Sequence, residues 1–121
     1  MNKTDLVAKK YSEKTLEKNI NSFDKKDWYF ISTYQKLSEE FIEKHYYKID
    51  WKLISGYQNL SEKFIEKYSG ELYWQYISRC QKLSEKFIKK HINKIDIDYL
   101  MQNKNISEKI KEQIKTLKEI I

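Results

Sequence analysis

Few side chains in this 121-residue sequence can do chemistry, and they are widely spaced. Its two histidines, His45 and His91, end the matching phrases FIEKH and FIKKH. An imidazole pair binds zinc only with further Cys, His or carboxylate ligands at close spacing. No such cluster surrounds either one, and the two lie two repeats apart, so each reads as a helix-end histidine near the negative pole of the dipole. Cys80, the single cysteine, stands where sister segments carry Tyr34 and Tyr57 and has no sequence context that would make a thiolate. It reads as a small buried hydrophobe. Ser38, Ser61, Ser84 and Ser107 each precede a glutamate, and that fourfold recurrence reads as helix N-caps rather than nucleophiles. Gln35, Gln58 and Gln81 recur just before these caps, where an amide can bond loop backbone of an adjacent unit. The expectation is a non-enzyme with no catalytic residue, no metal and no cofactor.

Charge and aromatic side chains carry the remaining chemistry. The formal charge is +6, and Arg79 is the only arginine among 24 basic residues. The balance is −1 over 28–50 and 0 over 51–73. It is +4 over 74–96, where Arg79, Lys82, Lys86, Lys89, Lys90 and Lys94 stand against only Glu85 and Asp96. Those six cations could neutralise phosphates, which makes RNA or DNA binding the alternative function. One arginine is a poor endowment for forked contacts to phosphate or guanine. Tryptophans among lysines could stack on bases, but Trp28, Trp51 and Trp74 each follow a cap position and precede an Ile by three, which predicts core packing.

The elements that position these residues follow from repetition. The three tryptophans are 23 residues apart, and the segments starting at Trp28 and Trp51 agree at twelve of 23 positions. In W-x-x-I-S-x-Y-Q-x-L, the spacing puts Trp51, Ile54, Tyr57 and Leu60 on one face of a short helix capped by Asp50. Ser61 opens a second helix that turns Phe64, Ile65 and Tyr68 inward. Apolar pairs flank the starts as hydrophobic staples: Ile49 with Ile54, Leu60 with Ile65, Leu83 with Ile88. No proline and only two glycines favour helices joined by tight turns. Helices this short are unstable alone and must bury one another. The fold class is therefore all-α, short helical hairpins stacked into a small solenoid-like array forming one domain over 1–121. Residues 1–27 form an N-terminal capping unit, 28–50, 51–73 and 74–96 the repeats, and 97–121 a C-terminal capping unit. The apolar stripe Ile106, Ile110, Ile114, Leu117 and Ile121 marks the last helix, whose surplus could pair two chains in a homodimer. No apolar run approaches the roughly 20 residues of a membrane span. The N-terminus lacks the apolar core of a signal peptide, and one cysteine forms no internal disulfide, which together predict a soluble, cytoplasmic protein.

The phrases L-S-E-x-F-I and D-W-x-x-I-S-x-Y-Q resemble short α-helical repeats found in proteins of bacteriophages, mobile elements and giant viruses. The resemblance covers 28–96 well, although Tyr73 departs from the aspartate cap. It implies a viral or prophage origin, action in the host cell cytoplasm, and a binding role such as interference with a host defence system like CRISPR. Shared positions are explained by stacking, so function belongs to the varying ones. A protein partner is expected on a ridge that includes Tyr29, Lys36, Lys52, Asn59, Gln75, Tyr76, Arg79 and Lys82.

Overall fold

Helix starts recur every eleven or twelve residues, with one step of fourteen between Lys25 and Glu39, because two kinds of cap alternate along the chain. Serine caps open α1 (Glu13–Lys18), α3 (Glu39–Lys44), α5 (Glu62–Lys67), α7 (Glu85–Lys90) and α9 (Glu108–Ile120). In each, the hydroxyl accepts from the amide three residues on, as Phe41 N–H donates to Ser38 Oγ at 3.1 Å. The alternate helices are α2 (Lys25–Tyr34), α4 (Trp51–Tyr57), α6 (Trp74–Cys80) and α8 (Ile97–Leu100). Asp50 and Asp96 cap α4 and α8 through their carboxylates, whereas Tyr73 caps α6 without a side-chain bond. The computed structural model describes residues 1–121 and divides into two compact units, 1–58 and 59–121. The division falls inside the second repeat, between its two helices.

The first unit contains α1 to α4 and two single 3₁₀ turns, Lys3–Asp5 and Ile20–Ser22, with α2 packed on α4. Its core includes Leu6, Leu16, Trp28, Ile31, Ile42 and Ile54. The second unit contains α5 to α9, with α6 on α8 and α9 against both α7 and α8. There Ile65, Ile77, Ile88, Ile95, Leu100 and Ile114 are buried. Both units are all-helical, built from short helices that pack on their repeat neighbours. All six staple residues are buried. No helix is long and apolar enough to cross a membrane.

Several local expectations are corrected. Asp27 does not cap its helix: α2 begins earlier, with Asp24 as the cap, and Asp27 is the third helical residue of a reciprocal capping box. Trp28 is only 4% exposed, but Trp51 and Trp74 are half-buried. Each directs its indole N–H to a carbonyl five residues back, Tyr46 O and Ser69 O, and this edge bond holds the ring at the surface end of the core. Tyr57 is 64% exposed, not inward, because the helix ends at that residue and its side chain leaves the Trp–Ile face. Tyr68 is half-buried against Phe64, ring centroids 4.7 Å apart. Cys80 is also half-buried rather than enclosed, at the last position of α6. The stripe of α9 is consumed through Ile114, fully buried; Leu117 is half-buried and Ile121 exposed.

Candidate functional site

The residues most repeated in sequence are occupied in joining successive hairpins. Gln58 donates from Nε2 to Ser32 O at 2.9 Å and Gln35 O at 2.7 Å, while its Oε1 accepts from Leu37 N–H at 3.0 Å. Gln35 repeats the arrangement toward Leu6 O, Lys9 O and Tyr11 N–H. Its partners lie 29, 26 and 24 residues back, against 26, 23 and 21 for Gln58. Three additional residues in the front hairpin account for the difference. In the second unit, Gln81 accepts from Leu60 N–H at 3.1 Å. The last hairpin uses Asn103, fully buried, which donates to Ser78 O and Gln81 O at 2.7 and 2.8 Å. A strict step of 23 from Gln81 lands on Lys104, so the one-residue slip hides Asn103 from sequence comparison.

The serines inside α2 and α6 are likewise structural, and sequence reasoning passed over them. Ser32 and Ser78 are fully buried, and each hydroxyl accepts at 3.0 Å from the N–H of the next hairpin's aspartate cap, Asp50 or Asp96. The recurring glutamates bridge hairpins as well. Glu13 takes the N–H and hydroxyl of Ser38, and Glu62 those of Ser84. One turn on, Glu17 contacts His45 Nε2 at 2.5 Å and Lys44 at 3.4 Å, and Glu66 contacts His91 at 3.3 Å and Lys90 at 3.2 Å. The hydrogen bond from His45 comes first among the causes that hold the Glu17 carboxyl below its ordinary range; His91 does the same for Glu66. Each imidazole packs on a phenylalanine, Phe41 or Phe87, at 4.6 and 4.5 Å. No group of His, Cys, Asp and Glu could hold a metal ion.

Of the proposed ridge, Tyr29, Lys36, Lys52, Asn59, Gln75 and Lys82 are exposed. Tyr76 and Arg79 are half-buried instead, since the guanidinium lies over the Tyr76 ring at 4.9 Å and the Tyr99 ring at 5.4 Å. The basic repeat is partly engaged within the chain: Lys89 pairs with Glu85 at 3.1 Å, Lys90 with Glu66, and Lys94 lies 6.0 Å from the Trp74 ring. Lys82 and Lys86 are exposed.

Two grooves occupy the same repeat position, one in each unit. That of the first unit, about 840 Å³, is lined by Phe23, Trp28, Tyr29, Tyr47 and Ile49, with Lys25, Lys26 and Lys48 at its edge. That of the second, about 410 Å³, is lined by Trp74, Gln75, Asn93, Lys94 and Ile95, together with Lys118. Trp28 corresponds to Trp74, Tyr29 to Gln75, Tyr47 to Asn93 and Ile49 to Ile95. Tyr29 and Tyr47 are 49% and 92% exposed. Tyr47 varies among repeats, and exposure rather than pattern distinguishes it. No protein-family model, no curated protein and no solved structure matches this chain.

Proposed function

We propose that this chain is a non-enzymatic helical-repeat protein whose work is to bind another protein. The observation that carries this reading is the division of labour among its side chains. Repeated Gln, Ser, Asp and Glu residues bond one hairpin to the next, while Tyr47 and Tyr29, at positions that vary between repeats, remain 92% and 49% exposed. Aromatic anchors dominate the energetics of protein interfaces, and tyrosine offers broad contact area at small entropic cost. The lysines of 74–96 supply the weaker competing reading, because Arg79, Lys89, Lys90 and Lys94 already have partners within the chain.

The test is affinity capture by the immobilised full-length chain from bacterial lysate, with and without nuclease. A protein retained at constant stoichiometry after nuclease treatment supports the reading. Capture of nucleic acid alone, lost with nuclease, overturns it in favour of phosphate binding by Lys82, Lys86 and their neighbours. The likeness of the repeat phrases to those of phage and mobile-element proteins makes a host defence complex, CRISPR among them, the target we propose. Stoichiometric inhibition of target cleavage by a purified CRISPR effector supports that target, and undiminished cleavage removes it while leaving protein binding to stand on the capture result.

A further inference from the structure

We infer that the groove of the first unit binds an acidic peptide segment that inserts an apolar side chain between Tyr29 and Tyr47. The inference rests on the protein-binding reading and gives the partner its chemistry. Its first support is an internal comparison. The groove of the second unit is built at the same repeat position with Gln75 and Asn93 in place of the two tyrosines, and helices still form on either side, α6 and the shorter α8. Folding therefore does not require aromatic rings at 29 and 47. Their exposure leaves apolar surface in water, a feature that marks interaction sites when it is contiguous. Here the two tyrosines line one groove with Phe23, half-buried and edge-on to Trp28 at 5.7 Å, and with the buried Trp28 and Ile49, 4% and 7% exposed.

Charge selects the occupant. Lys25, Lys26 and Lys48 are exposed at the edge, and none of the three takes part in an ion pair. The two aspartates of the lining point their carboxylates at helix starts: Asp24 accepts from Asp27 N–H at 2.9 Å and Asp50 from Leu53 N–H at 3.1 Å. Asp27 pairs with Lys3 at 3.0 Å. Lys26 lies 5.8 Å from the Phe30 ring of its own helix, so Lys25 and Lys48 are the cations left to meet an acidic partner, while the capped carboxylates interrupt the basic edge. A phosphate chain running along the groove would meet those carboxylates at every pass, whereas a peptide can place its acidic residues opposite the lysines alone. Electrostatic matching of this kind sets partner choice and association rate, and the aromatic anchors set how long the complex lasts.

The experiment is fluorescence anisotropy with the full chain and fluorescein-labelled dodecapeptides. One carries a Leu-Phe pair flanked by glutamates, a second replaces the pair by serines, and a third replaces the glutamates by lysines; a labelled oligothymidylate is the fourth probe. The acidic Leu-Phe peptide should bind at least tenfold more tightly than the other two peptides. The variant Tyr29→Gln/Tyr47→Asn, which installs what the second unit carries, should weaken it tenfold or more with an unchanged circular dichroism spectrum. Lys25→Glu/Lys48→Glu should weaken it while improving the lysine-flanked peptide. The proposal is overturned if no peptide binds at millimolar concentration, if the tyrosine variant binds equally well, or if the oligothymidylate binds and the tyrosine variant abolishes that binding. A nuclease-resistant protein partner that the tyrosine variant still captures would end this inference while leaving the protein-binding function intact.

Discussion

Replacing Gln58 by leucine should be among the most damaging single changes in the first unit, although the side chain touches no candidate binding residue. Gln58 is 5% exposed, and its amide satisfies three backbone groups: the carbonyls of Ser32 and Gln35 and the N–H of Leu37. Ser32 O belongs to the last turn of α2, where carbonyls have run out of helical partners, and the other two groups lie in the turn to α3. Leucine is close in size and leaves all three unpaired. Each of the three orphaned buried groups costs about 1–3 kcal/mol, and burying the leucine returns about 1.5–3 kcal/mol, so at the middle of those ranges the net loss should be about 4 kcal/mol. That is a large share of the roughly 5–15 kcal/mol that stabilises an ordinary domain.

Urea unfolding followed by tryptophan fluorescence measures this directly, with Asn59→Ala, at an exposed position, as a control expected within about 0.5 kcal/mol of the parent. Gln58→Glu discriminates further. It keeps an acceptor for Leu37 N–H but points a carboxylate at two carbonyls, so its penalty at neutral pH should ease in acid, where a protonated oxygen can donate to one of them. A Gln58→Leu loss below about 1 kcal/mol would refute the reasoning, because the hairpins would then be held by apolar burial alone.

Three further outcomes follow from the same geometry. Trp28→Ala should cost about 3–5 kcal/mol and clearly more than Trp51→Ala, because Trp28 is 4% exposed and Trp51 half-buried; equal losses in urea melts would contradict the burial ranking. Glu17 and Glu66 have carboxyl groups held below their ordinary value of 4.5, so their contribution is complete above that value and is lost as pH falls through the lowered folded-state values. Acid unfolding should therefore be shallower in Glu17→Gln, and an acid limb identical to the parent's would show that the His45 contact adds nothing. Sedimentation at high micromolar concentration should give a monomer: Ile114 is buried within the chain, and the exposed Ile120 and Ile121 offer far less than the roughly 800 Å² per partner of a stable interface, so a dimer that Ile120→Lys dissociates would reverse this.

What could be read from sequence was whatever local chemistry dictates. Serine before glutamate, aspartate before tryptophan and the apolar residues astride each start specify caps and staples within a few residues, and every serine cap forms as the pattern requires. The role of the glutamines was legible too, since a buried amide between helices has little else to bond but loop backbone. Residues whose role depends on the next hairpin were harder to see. Ser32 looks like any helix-interior serine until the N–H of Asp50 arrives over it, and Glu13 reads as a favourable first-turn charge until Ser38 is seen against it. Asp27 misled because it aligns with Asp50, while the true cap, Asp24, belongs to an insertion that alignment ignores. Position 103 escaped because a one-residue deletion shifts it out of register.

The repeats themselves provide the control that separates function from folding in this chain. Where three hairpins agree, side chains are bonded into the stack; where they differ without altering the backbone, folding has set no requirement. Arg79 shows why difference alone is insufficient. It is the only arginine and occupies a varying position, yet Tyr76 and Tyr99 hold its guanidinium on their faces, and its role is met within the second unit. Tyr47 fits the criterion better: its counterpart is Asn93, and although its ring meets Tyr46 edge-on at 4.9 Å, the residue remains 92% exposed. Leaving a tyrosine ring so exposed contributes almost nothing to the stability of the isolated chain, so its contribution must be sought where a second molecule covers it. On this criterion the basic repeat, whose cations are partly paired, is the poorer candidate, and the aromatic groove of the first unit is the place to look for a partner.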